Sequence, residues 1–328
     1  MSGEAILVTG GAGFVGAHVC RALAAEGFRP VAYDNLSAGH REFVKWGPLI
    51  EADVGDADAL DAAIATNGVR ACVHLAGSIE VGVSVREPVR FWQNNVATTL
   101  VLLDRLRLAG VKALVFSSTA AVYGTPERVP MSEDHPKRPT NPYGETKLAV
   151  EQVLAAECRA HGLSWIAFRF FNAAGAAHED GIGEDHSPES HLIPLACQAI
   201  LGVRPPLTIF GDDYPTSDGT AVRDYIHVAD LGRAHALGIR RALEGSCNSA
   251  LNLGTGHGYS VREVVAEIGR CAGRPVPHSY GARRPGDSPA LVANPAAARA
   301  TLGWQPSRSA LETIVADAWT WHSRRHAG

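Results

Sequence analysis

Short apolar runs recur along the first half of the chain at the spacing of strands alternating with helices. Ala5-Ile6-Leu7-Val8, Pro30-Val31-Ala32-Tyr33, Leu49-Ile50-Glu51-Ala52, Ala71-Cys72-Val73-His74-Leu75, Ala113-Leu114-Val115-Phe116 and Trp165-Ile166-Ala167-Phe168 read as strands. Between them Asp58 to Ala65, Asn95 to Ala109 and Lys147 to His161 repeat Leu, Ala and Val at helical intervals. Strands that are apolar throughout and joined through helices belong in a parallel sheet covered on both faces. The expected architecture is a doubly wound (Rossmann) α/β sheet with a second, smaller α/β domain. From Asn172 onward the rhythm changes to loops rich in Gly, Pro, Asp and His, followed by amphipathic helices at Val261 to Ala272 and Leu311 to Arg324. The division expected is 1–172 for the sheet domain and 173–328 for the second, with the segment near 222–256 a candidate to return to the first. Trp304, Trp319 and Trp321 are expected to pack the second domain.

Composition narrows the partners. The 328 residues carry 30 Lys plus Arg against 34 Asp plus Glu, a net charge of -4, with no basic block. A nucleic-acid or membrane-surface role is therefore not expected, and a small-molecule partner is. No apolar run reaches the length of a membrane span, and no basic segment precedes Ala5, so the expected location is the cytoplasm. The 6 cysteines stand singly, without a Cys-x-x-Cys pair, and read as small core hydrophobes. His178, His186 and His191 lie near Glu179, Glu184 and Asp185, yet none shows a His-Glu-x-x-His spacing, so no metal site is expected.

Chemistry enters at two points. After the first apolar run come Gly10, Gly13 and Gly16, followed by a helix-like segment. That is strand, glycine turn, helix: a tight turn whose backbone can approach a pyrophosphate beside the positive end of a helix dipole. The next strand ends at Asp34-Asn35, where a carboxylate accepts hydrogen bonds from ribose hydroxyls and repels a 2′-phosphate, which favours NAD over NADP. The other strand ends, Asp53-Val54, Leu75-Ala76-Gly77 and Ser117-Ser118-Thr119, are where such a sheet lines its cofactor. The second point is Asn141-Pro142-Tyr143-Gly144-Glu145-Thr146-Lys147. Pro142 suits a helix start, so Tyr143 and Lys147 stand i,i+4 on one face. A cation beside a phenol whose ordinary pKa is about 10 favours the phenolate and general-base duty.

The glycine turn, Asp34-Asn35, Ser117-Ser118-Thr119 with Val122-Tyr123-Gly124, and Tyr143-x-x-x-Lys147, in that order, resemble the extended short-chain dehydrogenase/reductase family. Arg169-Phe170-Phe171-Asn172, His191-Leu192-Ile193-Pro194, Ile209-Phe210-Gly211-Asp212-Asp213-Tyr214-Pro215-Thr216, Val222-Arg223-Asp224-Tyr225-Ile226-His227-Val228, Asn252-Leu253-Gly254 and Arg283-Arg284-Pro285-Gly286-Asp287 resemble, more narrowly, its UDP-glucose 4-epimerase branch. The resemblance covers nearly the whole chain. It implies NAD-dependent interconversion of UDP-glucose and UDP-galactose through a transient 4-keto sugar. Tyr143 would act as base and then acid, Lys147 would lower its pKa and hold the nicotinamide ribose, and Thr119 would fix the sugar O4. By the same resemblance Phe14, Val15, Asn94 and Phe170 join the cofactor set. Asn172, His191, Leu192, Thr208, Phe210, Arg223, Arg284, Asp287 and Leu291 join the UDP-sugar set, and a homodimer forms through helices near 95–107 and 147–159.

Departures bear on substrate range. Ile79 and Glu80 stand where many members of the branch carry a Lys, and His191 stands where some have Asn. Leu291 fills a position at which side-chain size gates the sugar pocket, so acetamido sugars, pentoses and uronates stay open as alternative substrates. A nucleotide-sugar dehydratase needs an Asp-Glu pair directly after the Thr, and this chain has Ala120-Ala121. A regulator that binds NAD without catalysis would have no use for an intact Thr119, Tyr143 and Lys147.

Overall fold

The computed structural model describes residues 3–245, 247–284 and 286–327; Pro285 of the Arg-Arg-Pro-Gly-Asp motif lies outside them. Seven parallel strands form the central sheet. The first six in the chain are β1 (Ala5–Thr9), β2 (Arg29–Asp34), β3 (Leu49–Glu51), β4 (Val69–His74), β5 (Ala113–Thr119) and β6 (Ser164–Phe170). The strand Asn248–Leu253 joins from far along the sequence, giving the order Asn248–Leu253, β6, β5, β4, β1, β2, β3. Every residue of β1 and of β5 is buried, as strands covered on both faces require. One face of the sheet packs Ile6, Val8, Val73, Val115, Ile166 and Phe168; the other packs Leu7, Tyr33, Cys72, Leu114, Phe116 and Ala167. The alternation along each strand sends neighbours to opposite layers.

The chain order reverses between β1 and β4, which pair with Thr9 beside His74. Doubly wound sheets hold ligands in the crevice at the carboxyl ends of such a switch point. His74 stitches that crevice shut from below: Nδ1 meets the Thr9 hydroxyl at 2.7 Å and Nε2 the Thr99 hydroxyl at 2.8 Å. Burial pulls its pKa down to about 3, so the ring is neutral and serves as a strut.

The helix Val228–Leu243 lies against helix α1 (Phe14–Ala25) on one face of the sheet. A separate core gathers Ile193, Cys197, Ile209, Tyr225, Val264 and Ile314 from the helices Leu192–Leu201, Val261–Ala272 and Leu311–Arg325 and the short strands between them. Two tryptophans depart from expectation. Trp304 is fully buried in the layer that packs Ile6 and Val8, its indole N–H donating to the Asp230 carbonyl at 3.0 Å. Trp321 packs on Phe43 and Ala17. Both fasten the C-terminal segment to the central sheet, a long-range role that local pattern does not carry. Buried carboxylates hold other seams. Asp224 accepts from Thr255 N, Gly256 N and Ala293 N, while Asp230 accepts from Ser307 N and Arg308 N.

Behind β5 lies a buried ionic network. Arg169 donates to both Glu151 oxygens, at 2.9 and 2.5 Å, and to the Tyr123 hydroxyl at 3.0 Å. The Ser118 hydroxyl donates to Glu151 at 2.5 Å, and Tyr123 donates to Asn252 at 2.6 Å. Arg169 and Glu151 side chains are 3% and 6% exposed, so neither charge has water to fall back on. Breaking such a pair from one side costs roughly 3 to 5 kcal/mol. Arg169→Met is therefore expected to lower the unfolding free energy by about that amount in urea titration; a loss under about 1 kcal/mol would show that Glu151 is satisfied without it.

Candidate active site

The glycine turn closes β1 against α1. Gly10 has φ +70° and a Cβ there would lie 2.8 Å from Ala76 N; a Cβ on Gly16 would lie 1.9 Å from the Gly10 carbonyl oxygen. Both glycines are demanded by the polypeptide itself. Gly13 is different, because its Cβ would meet a single atom at 3.4 Å. The bare edge at Gly13 keeps room beside the first turn of α1, which has no side-chain cap and no acidic residue. Orphan N–H groups and the dipole's positive end thus point to open space, an arrangement that fits a pyrophosphate. Asp34, at the end of β2, is 8% exposed and braced by Ala12 N at 3.0 Å and Leu36 N at 2.9 Å. Asn35 donates to Asp53 at 2.8 Å, and Val54 is buried beside them. The Asp34 carboxylate is an acceptor suited to the hydroxyls of an adenine ribose, so these residues fit NAD.

On the other side of the switch point, Leu75, Ala76 and Gly77 leave β4 with Leu75 N bonded to the Thr9 carbonyl at 3.1 Å. Asn95 pins the next residue: its Oδ1 accepts Ser78 N at 2.7 Å and its Nδ2 donates to the Ser78 carbonyl at 3.0 Å and to the Thr146 hydroxyl at 3.2 Å. Asn95 lies in a π-helical turn, Gln93–Ala97, of the kind that often marks functional sites. Asn94 is exposed and reaches only the Ser78 hydroxyl, at 3.0 Å.

The catalytic candidates come together at the end of β5. Asn141 caps the helix Pro142–His161 by accepting Gly144 N at 2.9 Å, and Pro142 occupies its first turn. That start places Tyr143 and Lys147 on one face. Thr119, at the end of β5, lies close enough to the Tyr143 phenol to act against the shift that burial imposes, and its hydroxyl accepts Ala121 N at 3.1 Å. Lys147 does not meet the phenol: Nζ donates to the Ser117 carbonyl at 2.9 Å and lies 4.9 Å from the centre of the Phe116 ring and 6.0 Å from that of Tyr143. Burial raises the Tyr143 pKa, with Thr119 acting in the opposite direction, and burial pulls Lys147 down to about 8.

The second half supplies the remaining wall. Arg223 donates to the carbonyls of Val222 and Ser288 at 2.8 and 2.9 Å, and it faces Asp287 at 3.4 Å. Asp287 also holds Arg284 at 2.9 Å, and the Arg284 guanidinium sits 5.2 Å from the centre of the exposed Phe210 ring. Thr208 is exposed on the same strand as Phe210. Asn172 donates to the Asp224 carbonyl at 3.0 Å, and Asp224 N donates to the Leu291 carbonyl at 3.0 Å. Leu291 packs towards Val122, Tyr123 and Leu148, which ties this wall to the Tyr143 helix. His191 and Leu192 open the helix Leu192–Leu201.

A family profile described as the NAD dependent epimerase/dehydratase family matches residues 6–254. The chain belongs to this family. It is 52% identical over 328 residues, the whole of both chains, to a protein of Rhizobium meliloti (strain 1021) named UDP-glucose 4-epimerase. Among solved structures, the fold is similar to a UDP-glucose 4-epimerase from Brucella ovis in complex with NAD, with a TM-score of 0.94 and 47% identity over 96% of this chain and 97% of that one. It is also similar to a UDP-glucose 4-epimerase from Bifidobacterium longum in complex with NAD+ and UDP, with a TM-score of 0.91 and 36% identity over 98% of each chain.

Within this epimerase/dehydratase frame, the structure gathers the sequence-read residues into two neighbouring walls. Gly10, Gly13, Phe14, Val15, Gly16 and Asp34 surround the α1 start; Gly77, Ser117, Thr119, Tyr143 and Lys147 cluster at β4 and β5. Phe170 ends β6 in register with Thr119. Ile79 is 39% exposed, an apolar side chain at the surface. Sequence reasoning passed over Asn95, Glu151 and the strut His74. A buried polar residue on an otherwise apolar helix face was the signal for Asn95, adjacent to the Asn94 that was chosen.

The buried ammonium generates a test. A lysine whose folded pKa lies below its unfolded 10.5 costs stability while protonated, fully below pH 8, and the cost is released as pH rises from 8 to 10.5. Lys147→Met is expected to stabilise the cofactor-free protein by about 1 to 2 kcal/mol at pH 7, after allowance for the lost Ser117 bond, with the gain vanishing near pH 10. Thermal melts across that range check it, and a variant less stable than the parent at pH 7 would refute the buried-charge reading.

Proposed function

We infer that the protein interconverts UDP-glucose and UDP-galactose as an NAD-dependent 4-epimerase, through a transient 4-keto sugar. The observation that carries this reading is Thr119, Tyr143 and Lys147 converging at the switch point of a chain that aligns end to end with proteins named UDP-glucose 4-epimerase. Gly10, Gly13 and Gly16 with the α1 start hold the pyrophosphate; Asp34, Asn35, Asp53 and Val54 take the adenosine; Leu75, Ala76, Gly77, Asn94, Ser117 and Phe170 line the nicotinamide half. NAD bound there supplies a reversible hydride acceptor and a positive charge beside the phenol. Thr119 would orient the sugar 4-hydroxyl and Tyr143 would take its proton as C4 gives up hydride; after the ketose has turned over, C4 regains hydride on its other face and Tyr143 returns the proton to the C4 oxygen. Lys147 holds the nicotinamide ribose and fixes the end of β5. Arg223 and Arg284, positioned by Asp287, receive the diphosphate in planar forks, with Asn172, His191, Leu192, Thr208 and Phe210 around the uridine. Ala120 and Ala121 offer no carboxylate next to Thr119, which supports epimerisation over dehydration.

Leu291 favours one further reading. It is half-buried and aliphatic rather than aromatic, which supports acceptance of UDP-N-acetylhexosamines as second substrates. The test takes the as-purified protein and follows UDP-galactose, UDP-N-acetylgalactosamine and UDP-arabinose. Tyr143→Phe is expected to cut turnover of UDP-galactose by about 10²- to 10⁴-fold while leaving UDP binding intact. Turnover within fivefold of the parent would remove Tyr143 from the mechanism.

The same reading includes a homodimer and a cytoplasmic location. Leu100 and Leu108 on the helix Thr98–Leu108, and Trp92 just before it, are 46%, 60% and 41% exposed, an apolar face that a second copy would cover. All six cysteines are free, as a reducing compartment keeps them. Among the described residues no helix is long and apolar enough to cross a membrane. Light scattering is expected to return twice the 34.7 kDa chain mass, and a monomer at micromolar concentration would refute the dimer.

A further inference from the structure

Three side chains that no part of the proposed chemistry uses, Glu184, His186 and Glu189, meet His191 in the loop ahead of the helix Leu192–Leu201. Glu184, His186, Glu189 and His191 each point one ligand-type atom into a common space, all within 4.8 Å of one another. His191 Nδ1 lies 2.8 Å from Glu184 and 3.2 Å from Glu189; His186 Nδ1 lies 3.5 Å from Glu184 and 3.7 Å from Glu189. A tetrahedral zinc ion with bonds of about 2.0 to 2.2 Å sets its ligand atoms about 3.3 to 3.6 Å apart, and among Glu184 Oε1, His186 Nδ1, His191 Nδ1 and Glu189 Oε2 the separations of 2.8, 3.5 and 3.7 Å bracket that spacing. Hydrogen bonding alone does not account for the arrangement. Glu189 has a side chain 0% exposed, yet its Oε2 has no hydrogen-bond partner, and neither has His186 Nδ1. These two buried atoms face one another at 3.7 Å, too far for a hydrogen bond and close to the separation of two ligands on one cation. The other Glu189 oxygen is already oriented by the backbone, accepting Ser190 N at 2.7 Å and His191 N at 2.9 Å, as the supporting bonds of metal carboxylates are.

We propose that Glu184, His186, Glu189 and His191 form a binding site for a divalent transition-metal cation, zinc by its donor set of two imidazoles and two carboxylates. The sequence spacing hides the site because Glu-x-His-x-x-Glu-x-His lies in irregular backbone between Ala174 and Leu192, where helical ligand spacing does not apply. The ion's role is structural: it clamps the loop that presents His191 and Leu192 at the helix start. His186, Glu184 and Glu189 lie outside the cofactor and sugar sets, so occupancy can be read without reference to turnover.

The experiment uses tag-free protein, stripped with a chelator and given Zn2+ alone. After gel filtration, elemental analysis is expected to find one zinc per chain, and the melting temperature is expected to rise with zinc and fall with chelator. Co2+ in place of zinc should give the intense visible bands of a tetrahedral site. His186→Ala and Glu189→Gln should each weaken zinc retention at least roughly tenfold, since even residues that only support a ligand contribute that much. A parent chain that retains no zinc and melts unchanged with zinc or chelator overturns the proposal, a result that does not depend on either variant folding. Equal retention by the parent and by His186→Ala overturns it as well.

Discussion

One buried ammonium organises the chemistry of this molecule. Lys147 is 2% exposed, with the Ser117 carbonyl as its hydrogen-bond acceptor and Phe116 beneath it. No carboxylate bonds it among the described residues, so its charge is carried at a cost that burial alone sets. The cost is local and directed: a cation held at the carboxyl end of β5 faces Gly77 on one side and Tyr143 on the other. A Cβ on Gly77 would stand 3.7 Å from Nζ and 3.0 Å from Asn95 Oδ1, so the glycine lets this corner lie close over the ammonium. A polypeptide that carries a buried charge without a carboxylate partner accepts a cost in stability, as functional sites often do.

The supporting shell explains how that charge is kept in place. Behind β5, Glu151 and Arg169 neutralise one another and leave Lys147 the one free cation of that layer among the described residues. In front, Asn95 ties the Gly77-Ser78 corner to Thr146, one residue before Lys147. The corner and the helix therefore move together. Asp224 and Asp287 do equivalent work in the second half, the first gathering backbone donors, the second positioning two arginines.

How much of this was legible in the sequence depended on range. The helix Val261–Ala272 and the six early strands follow apolar periodicity, and the structure places them within a few residues. The glycine turn was legible because Gly10 and Gly16 answer to backbone sterics that are local to the turn. The relation of Tyr143 to Lys147 was half legible: helical spacing gives the shared face, but which acceptor an ammonium chooses depends on Ser117, roughly thirty residues away. The inward packing of Trp304 and the Glu151–Arg169 pair were not legible, because each is fixed by a partner from a distant segment. The meeting of Glu184, His186, Glu189 and His191 was not legible for a related reason, since it depends on the path of an irregular loop.

The same contrast separates the two polar clusters physically. Around Tyr143 a single acid is set by burial, which raises its pKa, with the Lys147 ammonium held nearby on the Ser117 carbonyl. Around Glu189 two carboxylates and two imidazoles share one largely buried space, so geometry rather than burial of one group decides the site. There Glu189 Oε2 and His186 Nδ1 face one another beyond hydrogen-bond distance, whereas the other Glu189 oxygen is fully engaged by backbone N–H groups.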